Sequence, residues 1–268
     1  MPLAPTRVIR TPRYAVFCNG VNAYAVIEPF TVYGWSEITI EELIYPFHPK
    51  ANAEYSKLSM IGDYWTDFPS TFHETNNRYD YTIINAVWVA RRPDGTKSYI
   101  SYSFRAYVNI WVHVVRRFTE TREYSVWVNA ERKYSSSVPA DYKTVLEWDP
   151  NNATHPEYYR RFVLGANVRF GGHMKVSYYT FRVYDRAIEQ SEIEENLRTP
   201  WAPVRSGLKV WLVADPAYIK DIDGDGILEW IDLSGNNNHA KLYNAQLVEL
   251  IRAPTRILAP TRTLAPVR

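Results

Sequence analysis

The sequence predicts an all-β protein, a sandwich or jelly roll of short strands. Aromatic residues make up 15% of the chain, with 21 Tyr and 9 Trp, and aromatic side chains suit the half-buried surface of a pleated sheet. Short apolar and aromatic runs alternate with turn-forming residues from 14 to 185. One segment alone has a convincing helical pattern. Many short strands with frequent turns are typical of sandwiches.

The first part of the chain supplies most of the predicted strands. In order they are YAVF (14–17), EITIEELIY (37–45), YTIINAVWVA (81–90), YVNIWVHVV (107–115), EYSVWVN (123–129) and MKVSYYTFRVY (174–184). After the third run, RRPDGTK (91–97) contains Pro-Asp-Gly, which predicts a tight hairpin turn.

A short helix and one more strand follow. AIEQSEIEENL (187–197) predicts about two helical turns, with Asp185 or Ser191 as the capping residue. TPWAPVRSG (199–207) is predicted to be a linker, and GLKVWLVAD (207–215) a strand. Leu208, Val210 and Leu212 alternate in that strand, so we expect them to face one core.

Proline and arginine dominate both ends of the chain. Ala-Pro-Thr-Arg occurs at 4–7, 253–256 and 259–262, and Ala-Pro-Val-Arg at 202–205 and 265–268. The spacing of six in the C-terminal repeats returns each Pro and Arg to the same side of an extended or polyproline chain. We therefore predict three parts: an N-terminal arm (1–13), a jelly-roll domain (14–250) and a C-terminal arm (251–268). The predicted assembly contacts of the arms are Pro5, Arg7, Arg10, Arg13, Pro254, Arg256, Pro260, Arg262, Pro266 and Arg268.

The composition limits which partners, covalent cross-links and cellular locations are expected. The net charge of +2 is too small to imply a nucleic-acid partner by itself. Cys18 is the single cysteine, which excludes an intrachain disulfide, and we expect it to be a small packing residue. No apolar run predicts a signal peptide or a membrane span. Arg outnumbers Lys by 22 to 9 and there are two Gln, which weakly favours a thermophilic source.

Several motifs together resemble one known family. YAVFCNGVNAYAVIE (14–28) is similar to a strand–Gly turn–strand opening, and NIWVHVVRRF (109–118) to a strand that contains Trp and His. The closing unit is FVLGANVRFGGHMKVSYYTFRVYDRAIEQSEIEENL (162–197). In order and spacing, residues 14–197 resemble the laminin G-like, concanavalin A-like jelly-roll family. Glu42 and Leu43 depart from it, because they stand where the family usually has a small residue and Trp.

The order of the motifs differs from that family. GLKVWLVADP (207–216), a polar loop and DLSGNNNHA (232–240) resemble the segment that normally precedes the opening motif. Residues 207–250 are therefore interpreted as a displaced first strand and loop. Two arrangements remain open: a circular permutation, in which the segment completes its own domain, and strand exchange, in which it completes a neighbouring molecule.

The displaced segment contains a candidate calcium site. Asp221, Asp223, Asp225, Glu229 and Asp232 occupy positions 1, 3, 5, 9 and 12 of DIDGDGILEWID, with Gly226 at position 6. Hard oxygen ligands at this spacing are typical of a Ca²⁺ loop. An acidic hairpin without metal is the alternative.

Catalytic patterns are weak. Glu37, Thr39 and Glu41 share a strand face that carries acids in jelly-roll glycosidases, but the central residue here is Thr, so structural carboxylates are favoured. His113 and His173 have no nucleophile pattern nearby and are predicted to be structural. We expect a protein without enzymatic activity.

The arms favour a structural subunit that self-associates into a polymer, such as a virion protein or an extracellular filament. One alternative is a carbohydrate-binding adhesin with a cell-surface glycan as its partner, and YWTDF (64–68) is its candidate sugar-binding loop. Another is a virion protein that binds nucleic acid through the Arg-rich arms, which is less favoured. All these interpretations predict an extracellular or virion location.

Overall fold

The fold was determined as a computed structural model that describes residues 12–47, 56–65, 69–78, 81–107 and 109–250. Among these residues there are seventeen strands and one α-helix. The strands are β1 (Tyr14–Asn19), β2 (Tyr24–Ile27), β3 (Ile38–Pro46), β4 (Ser56–Gly62), β5 (Ser70–Arg78), β6 (Tyr81–Arg91), β7 (Lys97–Tyr107), β8 (Val112–Phe118), β9 (Glu123–Val128), β10 (Glu131–Ser137), β11 (Phe162–Leu164), β12 (Lys175–Tyr184), β13 (Leu208–Val213), β14 (Ile219–Lys220), β15 (Glu229–Trp230), β16 (Ala240–Tyr243) and β17 (Gln246–Glu249). The helix is α1 (Gln190–Arg198).

The strands form two antiparallel sheets. The first sheet has the order β10-β9-β8-β3-β12-β1-β17, with β13 also paired to β12. β1 and β13 lie end to end along the same edge of β12, because they pair with its first and second halves. The second sheet has the order β14-β15-β16-β2-β11-β4-β5-β6-β7. This is the all-β sandwich that the sequence predicts.

The main core lies between the two sheets. Trp88 from the second sheet stacks on Phe118 from the first, with ring centroids 4.6 Å apart and planes 5° from parallel. Cys18 is fully buried in the same core, which agrees with a packing role, and burial raises the pKa of its thiol to about 12. Gly165 touches this cysteine so closely that a Cβ would lie 2.7 Å from its sulfur.

The predicted hairpin turn joins β6 and β7. The N–H of Arg92 donates to the carbonyl of Thr96 at 2.8 Å, and the N–H of Gly95 donates to the carbonyl of Arg92 at 3.0 Å. Gly95 has φ +88°, a conformation that glycine adopts without a steric penalty. The Pro-Asp-Gly signal therefore identified this turn correctly.

The helix covers the outer face of the first sheet. Ile193 and Leu197 pack with Val115 and Trp211 in a second buried cluster. The helix begins later than predicted, with Glu189 at the N-cap instead of Asp185 or Ser191. The carboxylate of Glu192 accepts the Glu189 N–H at 2.7 Å, which satisfies a donor that the helix itself leaves free. No helix of the described residues is long and apolar enough to cross a membrane.

The segment after the helix pairs within its own chain. β13 pairs with β12, β16 with β2, and β17 with β1. In this structure residues 208–249 therefore complete the sandwich of the molecule to which they belong. The permuted order relative to the laminin G-like family stays a prediction, as does exchange of this segment between molecules.

One expectation about β13 was wrong. Val210 and Leu212 face the main core, but Leu208 packs in the cluster under α1. Val210 lies opposite Val183 and Leu208 opposite Tyr184, so the register shifts by one residue between these pairs. A β-bulge of this kind turns the following side chain to the other face of the sheet.

The polar loop 232–238 covers the outer edge of β13. The carboxylate of Asp232 accepts the N–H of Trp211 at 2.8 Å, and the N–H of Leu233 donates to the Trp211 carbonyl at 2.8 Å. The amide of Asn238 and the hydroxyl of Ser234 both donate to the carbonyl of Lys209, at 2.8 and 3.0 Å. These contacts satisfy backbone groups that would otherwise form an open sheet edge.

The two arms continue from neighbouring points. Tyr14 lies opposite Glu249 in the β1–β17 pair, and the Leu250 N–H donates to the Arg13 carbonyl at 2.8 Å. Of the predicted assembly contacts, Arg13 is described, and its Nε lies 3.0 Å from a Glu249 oxygen. The others lie outside the described residues: Pro5, Arg7, Arg10, Pro254, Arg256, Pro260, Arg262, Pro266 and Arg268.

Candidate functional site

A cleft opens where two neighbouring strands of the second sheet meet their loops. Ile27 ends β2 and lies opposite Phe162, which begins β11, so the loops at these two positions emerge together. The cleft has a volume of about 290 Å³. Its lining consists of Pro29, Phe30, Thr31, Tyr33, Asp149, Pro150, Asn151 and Arg160, and we call it the loop cleft.

Backbone hydrogen bonds hold the two loops of the cleft together. The N–H of Phe30 donates to the carbonyl of Arg160 at 2.7 Å, and the N–H of Gly34 donates to the carbonyl of Leu146 at 2.8 Å. The ring of Phe30 packs edge-on against Trp35 below the cleft, with centroids 5.9 Å apart. The walls are therefore fixed by contacts that do not require a ligand.

The polar groups of the cleft are arranged around a short 3₁₀ turn, Pro150–Asn152. One carboxylate oxygen of Asp149 accepts the N–H of Asn151 at 2.9 Å and so caps this turn. The guanidinium of Arg160 donates to the side-chain oxygen of Asn151 at 2.6 Å. A carboxylate, an amide and a guanidinium thus line one cavity, with the ring of Tyr33 45% exposed beside them.

Sequence reasoning did not single out these residues. They come from two stretches about 120 positions apart, and no spacing rule links Tyr33 with Asn151. The predicted sugar-binding loop, residues 64–68, is described only for Tyr64 and Trp65. The Trp65 ring lies beside the guanidinium of Arg169, 4.8 Å from the ring centroid, and next to the ring of Tyr64, which packs on the second sheet's outer face.

Three of the five predicted calcium ligands come together. Asp221, Asp223 and Asp225 are exposed, and each offers a carboxylate oxygen within 4.8 Å of the others. The ammonium of Lys241 lies 2.8 Å from Asp223 and 2.7 Å from Asp225. These contacts lower the pKa of Asp223 and raise that of Lys241.

The structure places the other two predicted ligands differently. Glu229 is buried in β15, and its carboxylate lies 3.9 Å from Lys241. Asp232 is also buried, and its two oxygens accept hydrogen bonds from Trp211, Ser234 and Asn238 in the loop that covers β13. The carboxylates of Asp221, Asp223 and Asp225 therefore fit a hard cation only in competition with Lys241, and Asp232 has a structural role.

The acidic face of β3 makes structural contacts with neighbouring segments. The hydroxyl of Thr39 donates to the carbonyl of Arg186 at 2.8 Å, and a Glu37 oxygen accepts the N–H of Ala187 at 3.1 Å. Glu41 is fully buried between His113, at 2.6 Å, and Arg182, at 2.9 Å. The three residues do lie on one face, as predicted, and the segment before α1 covers that face.

The buried charge of Glu41 is stabilised in its ionised form. Burial acts to raise the pKa of this carboxyl, but the Arg182 charge and the hydrogen bond from His113 outweigh it, so the pKa lies below its usual value. The amide of Asn196 in α1 donates a further hydrogen bond at 2.8 Å. This cluster ties the helix to the sheet.

Glu42 points to the opposite face and forms a second buried pair. Its carboxylate lies 2.9 Å from the guanidinium of Arg116, and both side chains are fully buried. Arg116 also donates to Ser59 and Thr71 on the second sheet, at 2.6 and 3.1 Å. The departure from the family pattern at Glu42 therefore places an ion pair between the sheets.

Comparison with solved structures identifies a related fold. A protein from Bacteroides ovatus, named as a candidate carbohydrate-binding protein, matches with a TM-score of 0.59 and 15% identity over 89% of this chain and 60% of that one. This chain thus spans about 60% of the length of that neighbour. The heptameric SAP-like pentraxin of Limulus polyphemus matches with a TM-score of 0.46 and 12% identity over 72% of this chain and 84% of that one. Domain 4 of an extracellular arabinanase from Geobacillus stearothermophilus, solved with arabinotriose, gives 0.43 and 13% over 68% of this chain and 75% of that one.

The sequence comparisons find no relative. No protein-family model matches the chain, and no curated protein matches it. The Bacteroides likeness and the two antiparallel sheets together confirm the predicted jelly-roll sandwich. At 15% identity the likeness concerns the fold.

Proposed function

We propose that this protein binds carbohydrate in the loop cleft and does not act as an enzyme. The observation that carries the proposal is the set of groups in that cleft. An exposed aromatic ring, Tyr33, lines the same cavity as the side chains of Asp149, Asn151 and Arg160. Fixed polar groups beside an aromatic surface are typical of small-ligand sites.

Each group suits one feature of a sugar. The exposed face of Tyr33 offers an apolar surface for the C–H groups of a sugar ring, and its phenol can hydrogen-bond at the rim. Asp149 accepts hydrogen bonds from hydroxyl groups, while the guanidinium of Arg160 and the amide NH₂ of Asn151 donate to hydroxyl oxygens. A volume of about 290 Å³ lies at the lower end of ligand pockets and suits roughly one or two sugar rings.

The fold supports the same interpretation. The Bacteroides neighbour is named for carbohydrate binding, and the match covers most of this chain. The cleft lies on loops at the end of a rigid sandwich, where binding residues are commonly placed. The carboxylate most comparable to a glycosidase acid, Glu41, is buried in an ion-pair cluster, which supports binding without hydrolysis.

The fold comparison favours this function over the polymer subunit that the sequence favoured. The predicted assembly contacts lie outside the described residues, except for Arg13. A filament or virion role and the nucleic-acid alternative therefore stay predictions. A glycan partner implies action outside the cell, which agrees with the expected extracellular location.

A glycan array followed by titration calorimetry tests the proposal. The full chain should bind at least one glycan, and Tyr33→Ala should weaken that binding roughly five- to tenfold because the stacking surface is lost. Asn151→Ala should weaken it as well. Trp201→Ala is the matched control, because Trp201 is an equally exposed aromatic residue, at 46%, outside the cleft.

Two results would overturn the proposal. One is the absence of any glycan ligand for the folded wild-type protein. The other is a Tyr33→Ala variant that binds as tightly as the wild type. If Trp65→Ala alone abolished binding, the sugar site would lie on the outer face of the second sheet instead.

A further inference from the structure

The loop cleft contains two opposite charges that do not form an ion pair with each other. Asp149 and Arg160 line the same cavity of about 290 Å³. Asn151 lies between them, because its backbone N–H donates to the Asp149 carboxylate at 2.9 Å and its side-chain oxygen accepts from the Arg160 guanidinium at 2.6 Å. One amide residue thus holds a carboxylate and a guanidinium in place and keeps them apart.

The guanidinium of Arg160 has no counter-charge among the described residues. It is exposed, and it donates to a neutral amide. The acids close to it in the fold have other partners. Glu28, at the start of one cleft wall, lies 3.9 Å from Arg161, and Glu157 lies 3.4 Å from His155. The positive charge of Arg160 is therefore available to a ligand.

The carboxylate of Asp149 likewise has no cationic partner within the part of the chain that the structure describes. Its two oxygens accept the N–H of Asn151 at 2.9 Å and the side-chain amide of Asn152 at 3.3 Å, and both donors are neutral. A carboxylate keeps further acceptor sites after two such bonds. The negative charge of Asp149 is therefore available to a ligand as well.

We infer that the loop cleft is specific for a zwitterionic sugar, which carries a carboxylate for Arg160 and an ammonium group for Asp149. The inference rests on the proposed function, since the ring of this sugar would stack on Tyr33. A guanidinium binds a carboxylate through paired N–H donors, and a carboxylate binds an ammonium group through short charge-assisted hydrogen bonds. Complementary charges of this kind contribute more to specificity than to affinity.

A sugar with a single charge fits this cleft less well. Its charged group meets a partner of opposite sign and, within the same small cavity, a second group of its own sign. Like charges brought close together weaken binding. A neutral sugar meets no such repulsion, but it leaves both charges of the cleft without a counter-charge. The arrangement therefore favours a ligand that carries both groups.

The experiment uses four methyl glycosides that differ only in their charged groups. Methyl glucoside carries neither group, methyl glucuronide the carboxylate, methyl glucosaminide the ammonium group, and methyl glucosaminuronide both. A second series has the galactose configuration, so that the orientation of one hydroxyl group does not decide the result. Calorimetry with the full chain measures each affinity at about pH 6, where an amine is protonated and a carboxylate is ionised.

Charge variants and remote controls assign the recognition to the two residues. Arg160→Gln removes the positive charge, and Arg160→Lys keeps it. Asp149→Asn removes the negative charge and keeps an oxygen that can accept the Asn151 N–H. The controls are Lys220→Gln and Glu131→Gln, which remove exposed charges from β14 and β10 at the ends of the two sheets.

The expected effects of the two charge variants are opposite for the singly charged sugars. The wild type binds the zwitterionic sugar at least about tenfold more tightly than the neutral one, while either charge alone gains less than about threefold. Arg160→Gln lowers the preference for the zwitterion roughly fivefold and strengthens binding of the glucosaminide. Asp149→Asn lowers the same preference roughly fivefold and strengthens binding of the glucuronide. Arg160→Lys and both controls keep the preference for the zwitterion.

The other outcomes separate this inference from the proposed function. Neutral and zwitterionic sugars that bind equally well, with a loss in Tyr33→Ala, overturn the zwitterion preference and leave carbohydrate binding in the loop cleft intact. Tightest binding of a singly charged sugar to the wild type also overturns the preference, as does an equal loss of the preference in the two controls. A preference that needs Arg160 and Asp149 but survives Tyr33→Ala supports the charge recognition and overturns the stacking role of the ring. If no glycoside of either series binds, the inference is overturned, and the glycan array decides on the cleft separately.

Discussion

The ammonium of Lys241 lies 2.8 Å from a carboxylate oxygen of Asp223, inside the loop whose spacing predicts calcium binding. It is also 2.7 Å from Asp225. A lysine thus supplies the positive charge that these carboxylates require. Since ligands must release a bound cation before a metal can replace it, Lys241 and Ca²⁺ compete for the same oxygens.

Replacing this lysine should strengthen calcium binding. In Lys241→Met we expect roughly tenfold tighter Ca²⁺ binding than in the wild type, because one positive charge next to the ion is removed. Calorimetry with CaCl₂ measures the difference. Lys220→Met, which removes a charge beside the same loop, should have a much smaller effect. Equal Ca²⁺ affinity in the wild type and Lys241→Met would contradict the competition.

The Asp232 carboxylate should stabilise the fold and should not bind a metal ion. Asp232→Ala leaves the buried N–H of Trp211 and the part-buried N–H of Asn238 without their acceptor and should lower the free energy of unfolding by about 2–4 kcal/mol. Asp221→Ala, at an exposed position of the same loop, should change it by less than about 1 kcal/mol. Urea unfolding of the two variants provides the comparison. A smaller loss for Asp232→Ala than for Asp221→Ala would refute this role.

The buried contacts of Glu41 with His113 and Arg182 should make the stability of the protein depend on pH. The pKa of Glu41 is lower in the folded protein than its ordinary value of 4.5. The carboxylate therefore stabilises the fold fully above pH 4.5, and this stabilisation is lost as the pH falls through the pKa of the folded protein. Glu41→Gln should cost about 3–5 kcal/mol at pH 7, because Arg182 then stays buried without its partner. The difference between the two proteins should shrink between pH 5 and pH 3. Unfolding curves across this range measure it, and a constant difference would exclude the linkage.

Gly165 should tolerate no side chain while Cys18 is present. Its φ is +80°, and an added Cβ would meet the Cys18 sulfur at 2.7 Å. Gly165→Ala should cost about 2–4 kcal/mol through overpacking and backbone strain. In a Cys18→Ala background the cost of the same change should fall by about 1 kcal/mol or more, since the 2.7 Å clash with the sulfur disappears while the 3.1 Å contact with the Cβ of residue 18 and the backbone strain remain. A double-mutant cycle measured by urea unfolding tests the coupling, and strictly additive effects would show that the two residues do not interact.

The strands and turns were predictable because their signals are local. Alternating apolar residues mark β3, β8 and β12, and the Pro-Asp-Gly turn between β6 and β7 needs only its own residues to form. The position of Leu208 was not predictable in this way. Its direction depends on a register shift against Tyr184, which is a property of the paired strands.

The candidate site was less accessible to sequence reasoning. The calcium spacing is a local pattern, but the competing Lys241 stands 16 positions after Asp225 and reaches it only through the pairing of β15 with β16. The loop cleft joins Tyr33 to Asn151, which lie on two separate loops. Such pairs become neighbours through the tertiary fold, which no single stretch encodes.

The pairing of β1 with β17 sets how this domain can be connected to other chains. Because Tyr14 and Glu249 are partners across adjacent strands, the entrance and the exit of the sandwich are one strand spacing apart, about 4.8 Å. A host protein could carry the whole domain in the middle of a surface turn without separating the residues on either side of that turn. The same geometry places Arg13 and Leu250 side by side, so a partner surface that contacts one of them would also contact the other.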